Sequence, residues 1–170
     1  MKYKNFEEVP VWQTAIELAA KVFDVTEDKA FRFRGDIANQ IQRAALSVSN
    51  NIAEGFERGT TQELITFLYY AKGSAGEVRS VCHVIDRIKA FEHLKSEISD
   101  LKSLAVSISR QLNGWADSLQ NTGITGHRYL TDRVRNLART TAEKEGTTPE
   151  AVIGRWEASI PMKRLGTPEE

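Results

Sequence analysis

The chain is short of the residues that carry most site chemistry. It has one cysteine, three histidines, four prolines and three tryptophans in 170 residues. A single Cys82 excludes a disulfide-stapled scaffold and fits a reducing compartment. No apolar run approaches the ~20 residues that a bilayer-spanning helix needs. The opening Met1-Lys2-Tyr3-Lys4-Asn5-Phe6-Glu7-Glu8 has no apolar core of signal-peptide length, so a cytoplasmic protein without a membrane partner is expected. Charge of one sign is also missing: 23 Lys and Arg balance 23 Asp and Glu. No global field therefore draws the chain onto a polyanion. The balance is local rather than uniform. Residues 121–142 carry Arg128, Arg133, Arg135 and Arg139 against Asp132 alone, while the remainder is slightly acidic.

What is present is helical periodicity. With 41% hydrophobic and 27% charged residues the chain has the composition of a folded domain. Four stretches repeat apolar residues at steps of three and four. The first follows Pro10 and runs to about Thr26, with Trp12, Ile16, Ala19 and Phe23 as its stripe, widened by Ala15 and Val22. The second starts near Asp36, read as an N-cap, aligns Ile37, Ile41, Ala44, Val48 and Ile52, and stops between Gly55 and Gly59. Thr60 or Thr61 caps the third, whose seam runs from Leu64, Phe67 and Leu68 through Ala71, Ala75 and Val78 to Cys82 and Ile85. The fourth follows a break at Phe91 to His93 and aligns Leu94, Ile98, Leu101, Ala105, Ile108, Leu112, Trp115 and Leu119. Period-two alternation and hairpin signals are missing. Long helices on short connections predict an all-α, up-down-up-down antiparallel four-helix bundle over residues 1–120.

Past Asn121-Thr122-Gly123-Ile124-Thr125-Gly126, a linker by its turn residues, residues 121–170 read as a polar helical extension. One helix is expected from Tyr129 to Glu145, ending at Gly146. A shorter one opens at Thr148-Pro149-Glu150. Thr167-Pro168 would begin a further helix two residues before the last, which reads as a truncated end.

Catalytic signatures do not appear. A di-iron bundle needs Glu-x-x-His pairs, but Ser80, Ala90 and Ile124 stand three residues before His83, His93 and His127. Cys82 and His83 are adjacent, hence about 100° apart on a helix, and read as buried cysteine and surface histidine rather than metal ligands. No Gly-x-Ser-x-Gly elbow and no phosphate-cradling Gly-x-x-x-x-Gly-Lys occurs. The expectation is a protein with no catalytic residue, cofactor or metal.

Three features remain. Gly73 and Gly76 lie mid-helix at about 1 kcal/mol each against Ala, which predicts close helix packing there, with a ligand crevice as the alternative. Asn51 and Glu54 on the second helix, with Ser74 and Glu77 on the third, are expected to meet as a structural polar network. Arg32, Arg34, Arg43 and Arg58 gather around the ends of the second helix, and Arg128, Arg135 and Arg139 share one face with Arg133 nearby. Solvated surface and phosphate contact are both open readings of these arginines.

The run Gln40-Ile41-Gln42-Arg43-Ala44-Ala45-Leu46-Ser47-Val48-Ser49-Asn50-Asn51-Ile52-Ala53-Glu54-Gly55 carries a resemblance. So do Val11-Trp12, Ala15, Arg58, Phe67-Leu68 and Ala71-Lys72-Gly73-Ser74-Ala75-Gly76-Glu77. Over about residues 6–120 the chain resembles the bacterial four-helix-bundle family of ribosomal RNA intervening sequences. That family is similar to the accessory variability determinant of diversity-generating retroelements, a homopentamer that binds a reverse transcriptase and nucleic acid. The resemblance implies a homo-oligomer, a pentamer, with RNA or DNA as partner and no catalytic residues. It also implies an alternative, a scaffold docking a protein such as a polymerase. Residues 144–170 resemble a late segment of short-chain dehydrogenases, through Pro149-Glu150-Ala151-Val152 and Ile160-Pro161-Met162-Lys163-Arg164-Leu165-Gly166-Thr167-Pro168-Glu169-Glu170. The Gly-x-x-x-Gly-x-Gly cofactor loop of those enzymes is absent, and Tyr129 is followed by Arg133 where they carry lysine, so the segment reads as a grafted tail without the activity.

Overall fold

A computed structural model describes residues 3–121 and 128–159; for 128–136 and 156–159 it describes the helical backbone alone. The described chain is all-helical. The long elements are α1 (Pro10–Thr26), α2 (Gly35–Glu57), α3 (Thr61–Ile85), α4 (Lys95–Asn121), α5 (Arg128–Glu145) and α6 (Pro149–Ser159). Short 3-10 turns at Phe6–Glu8, Lys29–Phe31 and Lys89–Leu94 precede α1, α2 and α4. The residues separate into two compact units, Met1–Gly126 and His127–Glu170.

In the first unit α2 packs on α3, α3 on α4, α1 on α2, and α1 on α4. Ser74 Oγ lies 3.0 Å from Ser47 Oγ, and Gln40 Nε2 donates to Glu77 Oε1. Rising numbers on α2 therefore meet falling numbers on α3. The same antiparallel sense links α3 to α4, where Gln120 Nε2 donates to Tyr69 Oη at 3.1 Å, Lys72 Nζ to Asn113 Oδ1 at 2.6 Å, and Lys102 to Asp86.

The buried stripes of α2, α3 and α4 follow the sequence periodicity. Ile41, Ala44, Val48 and Ile52 face Leu64, Leu68, Ala71, Ala75, Val78, Cys82 and Ile85, closed by Ile98, Leu101, Ala105, Ile108 and Leu112. On α1 the buried face is shifted toward Ala15 and Val22, the side expected to widen the stripe. Val11, Ala15, Leu18 and Val22 enter the core, whereas Ile16 and Phe23 stay 42% and 40% exposed. Ala19 is buried and Trp12 packs at the core's edge against Phe6, ring centroids 5.1 Å apart.

Caps set the helix starts. Thr60, not Thr61, is the N-cap of α3: its Oγ1 accepts from Glu63 N at 3.1 Å and its hydroxyl donates to Glu63 Oε2 at 2.7 Å. Asp36 is not the N-cap of α2; Arg34 holds that position without a side-chain cap, and Asp36 sits in the first turn. There its carboxylate still meets the positive end of the helix dipole.

The close helix approach occurs at a different glycine from the expected pair. A Cβ on Gly73 or Gly76 would meet nothing within 4 Å, whereas one on Gly55 would lie 2.5 Å from Phe67 Cβ and 3.4 Å from Leu64 O. Close packing therefore does not explain Gly73 and Gly76 within this unit.

The second unit is small. Ala138 and Ala142 of α5 bury against Val152 of α6, with Ile153 at the edge. α5 ends where Gly146 adopts φ +63°, a left-handed conformation natural to glycine, and Thr147 N donates to Ala142 O at 3.0 Å. Thr148 then caps α6, its Oγ1 accepting from Ala151 N at 3.3 Å. The tail Ile160 to Glu170 lies outside the described residues.

Gly55→Ala is expected to destabilise the first unit by about 1–3 kcal/mol, since Phe67 Cβ yields only with its backbone. Gly73→Ala and Gly76→Ala are each expected to stabilise by about 0.5–1 kcal/mol through helix propensity. Denaturant melts of the three variants check the opposite signs.

Candidate nucleic-acid interface

Phosphate contact requires cationic side chains held at a surface that a polyanion can reach. The α1–α2 connection builds such a place. Asp28 caps the turn Lys29–Phe31, accepting from Ala30 N at 2.8 Å. Phe31 is buried and tilts against Phe91 of the α3–α4 connection, ring centroids 4.5 Å apart. Arg34 reinforces this contact: its Nη1 donates to Ala30 O at 2.8 Å and its guanidinium lies 5.5 Å from the Phe91 ring centre. His93 Nε2 stands 3.1 Å from Asp28 Oδ2, a second tie between the two connections. On this fixed base Arg32 and Phe33 point outward, both exposed.

The other arginines of the second helix are elsewhere. Arg43 is exposed near the middle of α2. Arg58 is at the far end, bonded through Nη2 to Glu54 Oε1 at 2.6 Å, 3.8 Å from Glu63 Oε1, and 5.2 Å from the Phe67 ring centre. Those carboxylates hold its pKa above the ordinary value, with the Glu54 hydrogen bond as the largest cause. From Arg34 to Arg58 the helix rises ~36 Å at 1.5 Å per residue, far beyond the ~10 Å over which exposed charges act together in ordinary salt. The gathering expected at the ends of α2 is therefore two separate places, and at the Arg58 end two carboxylates hold the guanidinium. Arg139 is exposed on α5; the side chains of Arg128, Arg133 and Arg135 lie outside the described residues.

The expected polar network divides. Asn51 Nδ2 donates to Ser47 O at 2.7 Å and Ser47 Oγ at 3.0 Å, and Ser74 Oγ reaches Ser47 Oγ and Tyr70 O. Glu54 turns to Arg58 and Glu77 to Gln40. The register is the reason: with 47 opposite 74, residue 54 comes to the level of residue 67 along α3, not of Glu77. Ser47, the actual bridge, has no sequence signal beyond being a small polar residue in a helix.

Chemistry elsewhere is sparse. Cys82 is fully buried, and desolvation pushes its thiol up to about 12, so it is held as an unreactive thiol at neutral pH. Among the described residues no three His, Cys, Asp or Glu side chains converge as a metal site. A shallow cleft between α1 and α4 is lined by Asp24, Glu97 and Asp100 with Lys21, a charge set that repels phosphate. Among the described residues no helix is long and apolar enough to cross a membrane.

Residues 7–114, nearly two thirds of the chain and the region of α1 to α4, match the 23S rRNA-intervening sequence proteins. The chain belongs to that family. No curated protein matches it. Membership agrees with the pattern from Gln40 to Gly55.

Asp28 gives this end a pH signature. The Ala30 N–H, followed by His93, holds its carboxyl below the usual 3.8. The folded side chain thus takes up its proton less readily than the unfolded one. Its stabilising contribution is present above pH 3.8 and is lost as pH falls through the lower folded value. Asn caps about as well as Asp, so Asp28→Asn removes chiefly the charge. Its stability deficit in urea melts is expected near neutral pH and should close in acid; a deficit unchanged by acid would contradict the assignment.

Proposed function

We propose that this chain is a non-enzymatic, self-associating RNA- or DNA-binding protein whose α1 to α4 form an up-down-up-down bundle, assembling in the cytoplasm as a homopentamer. The observation that carries the reading is membership of a family of 23S rRNA-intervening sequence proteins over the region of α1 to α4. It is supported by the exposure of Arg32, Arg43 and Arg139 and by the fixed base beneath Arg32. A chain of zero net charge binds polyanions through such local patches, and repetition around an oligomer multiplies them. Binding of this kind is weakly sequence-selective and strongly salt-dependent.

A second reading, a scaffold that docks a nucleic-acid enzyme such as a reverse transcriptase, is favoured by one observation. Ile16 and Phe23 leave α1 exposed, as does Leu46 on α2. Gln42 Nε2 donates to Thr26 Oγ1 at 2.6 Å, and that antiparallel register brings Phe23 and Leu46 to the same level. Exposed apolar side chains gathered in this way mark protein contacts.

Fluorescence anisotropy with a mixed-sequence single-stranded RNA tests the first reading. Wild type is expected to bind at low salt and release by about 0.5 M. The combined variant Arg32→Glu, Arg43→Glu, Arg139→Glu is expected to lose at least about tenfold in affinity with an unchanged melt. Unaltered affinity of that variant would count against it, and a stoichiometric protein partner without salt-sensitive RNA binding would favour the scaffold.

A further inference from the structure

We propose that Phe33 is a stacking platform for an unpaired nucleobase and that Arg32 beside it holds the adjoining phosphate, so that this end of the first unit recognises single-stranded nucleic acid. The inference rests on the nucleic-acid reading above and names the site and the form of the ligand.

Phe33 is 92% exposed, the most open large hydrophobic side chain among the described residues, while Phe31, two residues earlier, is 3% exposed and packed on Phe91. An aromatic ring left in water forfeits the burial that normally fixes its place. No helical face accounts for it: Phe33 falls between Arg32, which closes the turn Lys29–Phe31, and Arg34, at the N-cap position of α2. The backbone beneath it is secured on both sides, by Phe31 against Phe91 and by Arg34 bonded to Ala30 O. The ring is thus presented outward from a rigid turn rather than carried on a loose loop.

Two kinds of partner use an exposed aromatic. A protein hot spot sits within a rim of further contacts that exclude water. The sequence neighbours of Phe33 are instead Arg32 and Arg34, with Lys29 and Asp36 beyond them, and Lys29, Arg32 and Asp36 are exposed. An aromatic face among cationic side chains matches a nucleotide, whose base stacks on the ring while its phosphate meets a guanidinium. Asp36, in the first turn of α2, opposes a phosphate at that helix's N-terminus. The phosphate therefore belongs on the Arg32 side. A base paired within a duplex has both faces covered, so only a single strand, a loop or an end is accommodated.

The test is anisotropy with a single-stranded RNA and the same sequence as a duplex, using full-length wild type, Phe33→Ala, Phe33→Trp and Arg32→Ala. Wild type is expected to prefer the single strand. Phe33→Ala should weaken single-strand binding about tenfold while leaving duplex binding and the salt slope unchanged. Phe33→Trp should retain the affinity, and Arg32→Ala should lower the salt slope by close to one contact. Since Phe33 is exposed, the alanine variant should melt as wild type does. Single-strand affinity unchanged in Phe33→Ala, with the triple charge reversal still weakening binding, would overturn this site and leave the arginine reading standing. Wild type that fails to bind RNA at low salt would overturn both. Loss of self-association in Phe33→Ala with RNA affinity intact would make Phe33 a protein contact and overturn the proposal.

Discussion

The separation of α2 from α3 at Gly55 constrains the rest of the first unit, because a single methyl group there would stand 2.5 Å from Phe67 Cβ. That approach is continued by small residues along the pair, Ala44, Ala45 and Ser49 on one helix and Ala71 and Ala75 on the other, all buried. Closely packed helices fix their register sharply, since ridges on one must enter grooves on the other. Here the register sets Ser47 against Ser74 and Gln40 beside Glu77. It also fixes where the connections emerge. At one end of α2 the turn Lys29–Phe31 meets the turn Lys89–Leu94 through Phe31 and Phe91, and at the other Arg58 closes over Phe67.

Much of this was legible in the sequence, and what was not has a physical reason. The stripes of α2 and α4 are set off by polar and charged residues, so their periodicity selects one buried face. On α3 the seam from Leu64 to Ile85 is continuous even though Tyr69, Tyr70 and Val84 lie outside it, exposed. α1 has apolar residues around more than half its circumference. Val11, Leu18 and Val22 compete with Ile16 and Phe23, and only the positions of α2 and α4 decide between them. Gly73 and Gly76 invited a close-packing reading because mid-helix glycine is costly, yet propensity does not say which neighbour, if any, a glycine faces. The polar set of Asn51, Glu54, Ser74 and Glu77 required a register that sequence does not supply.

The candidate site could be read in the sequence by residue type and not by place. Arginines at both ends of one helix look like a cluster along a sequence and are ~36 Å apart in space. The alternation Phe31-Arg32-Phe33-Arg34 does not reveal which ring turns inward. That depends on Phe91, sixty residues later, which claims Phe31 and leaves Phe33 in water. The end of the first unit thus owes its exposed aromatic to the same packing that fixes its core. Its arginines differ in employment: Arg34 is engaged in holding the turn, Arg58 is matched by two carboxylates, and Arg32 faces solvent.

The proposed function rests on self-association and on contact with nucleic acid. The most direct measurement is a native mass spectrum of the purified full-length protein before and after nuclease treatment. The account predicts five copies carrying heterogeneous extra mass that nuclease removes. A bare monomer whose mass nuclease leaves unchanged would contradict it.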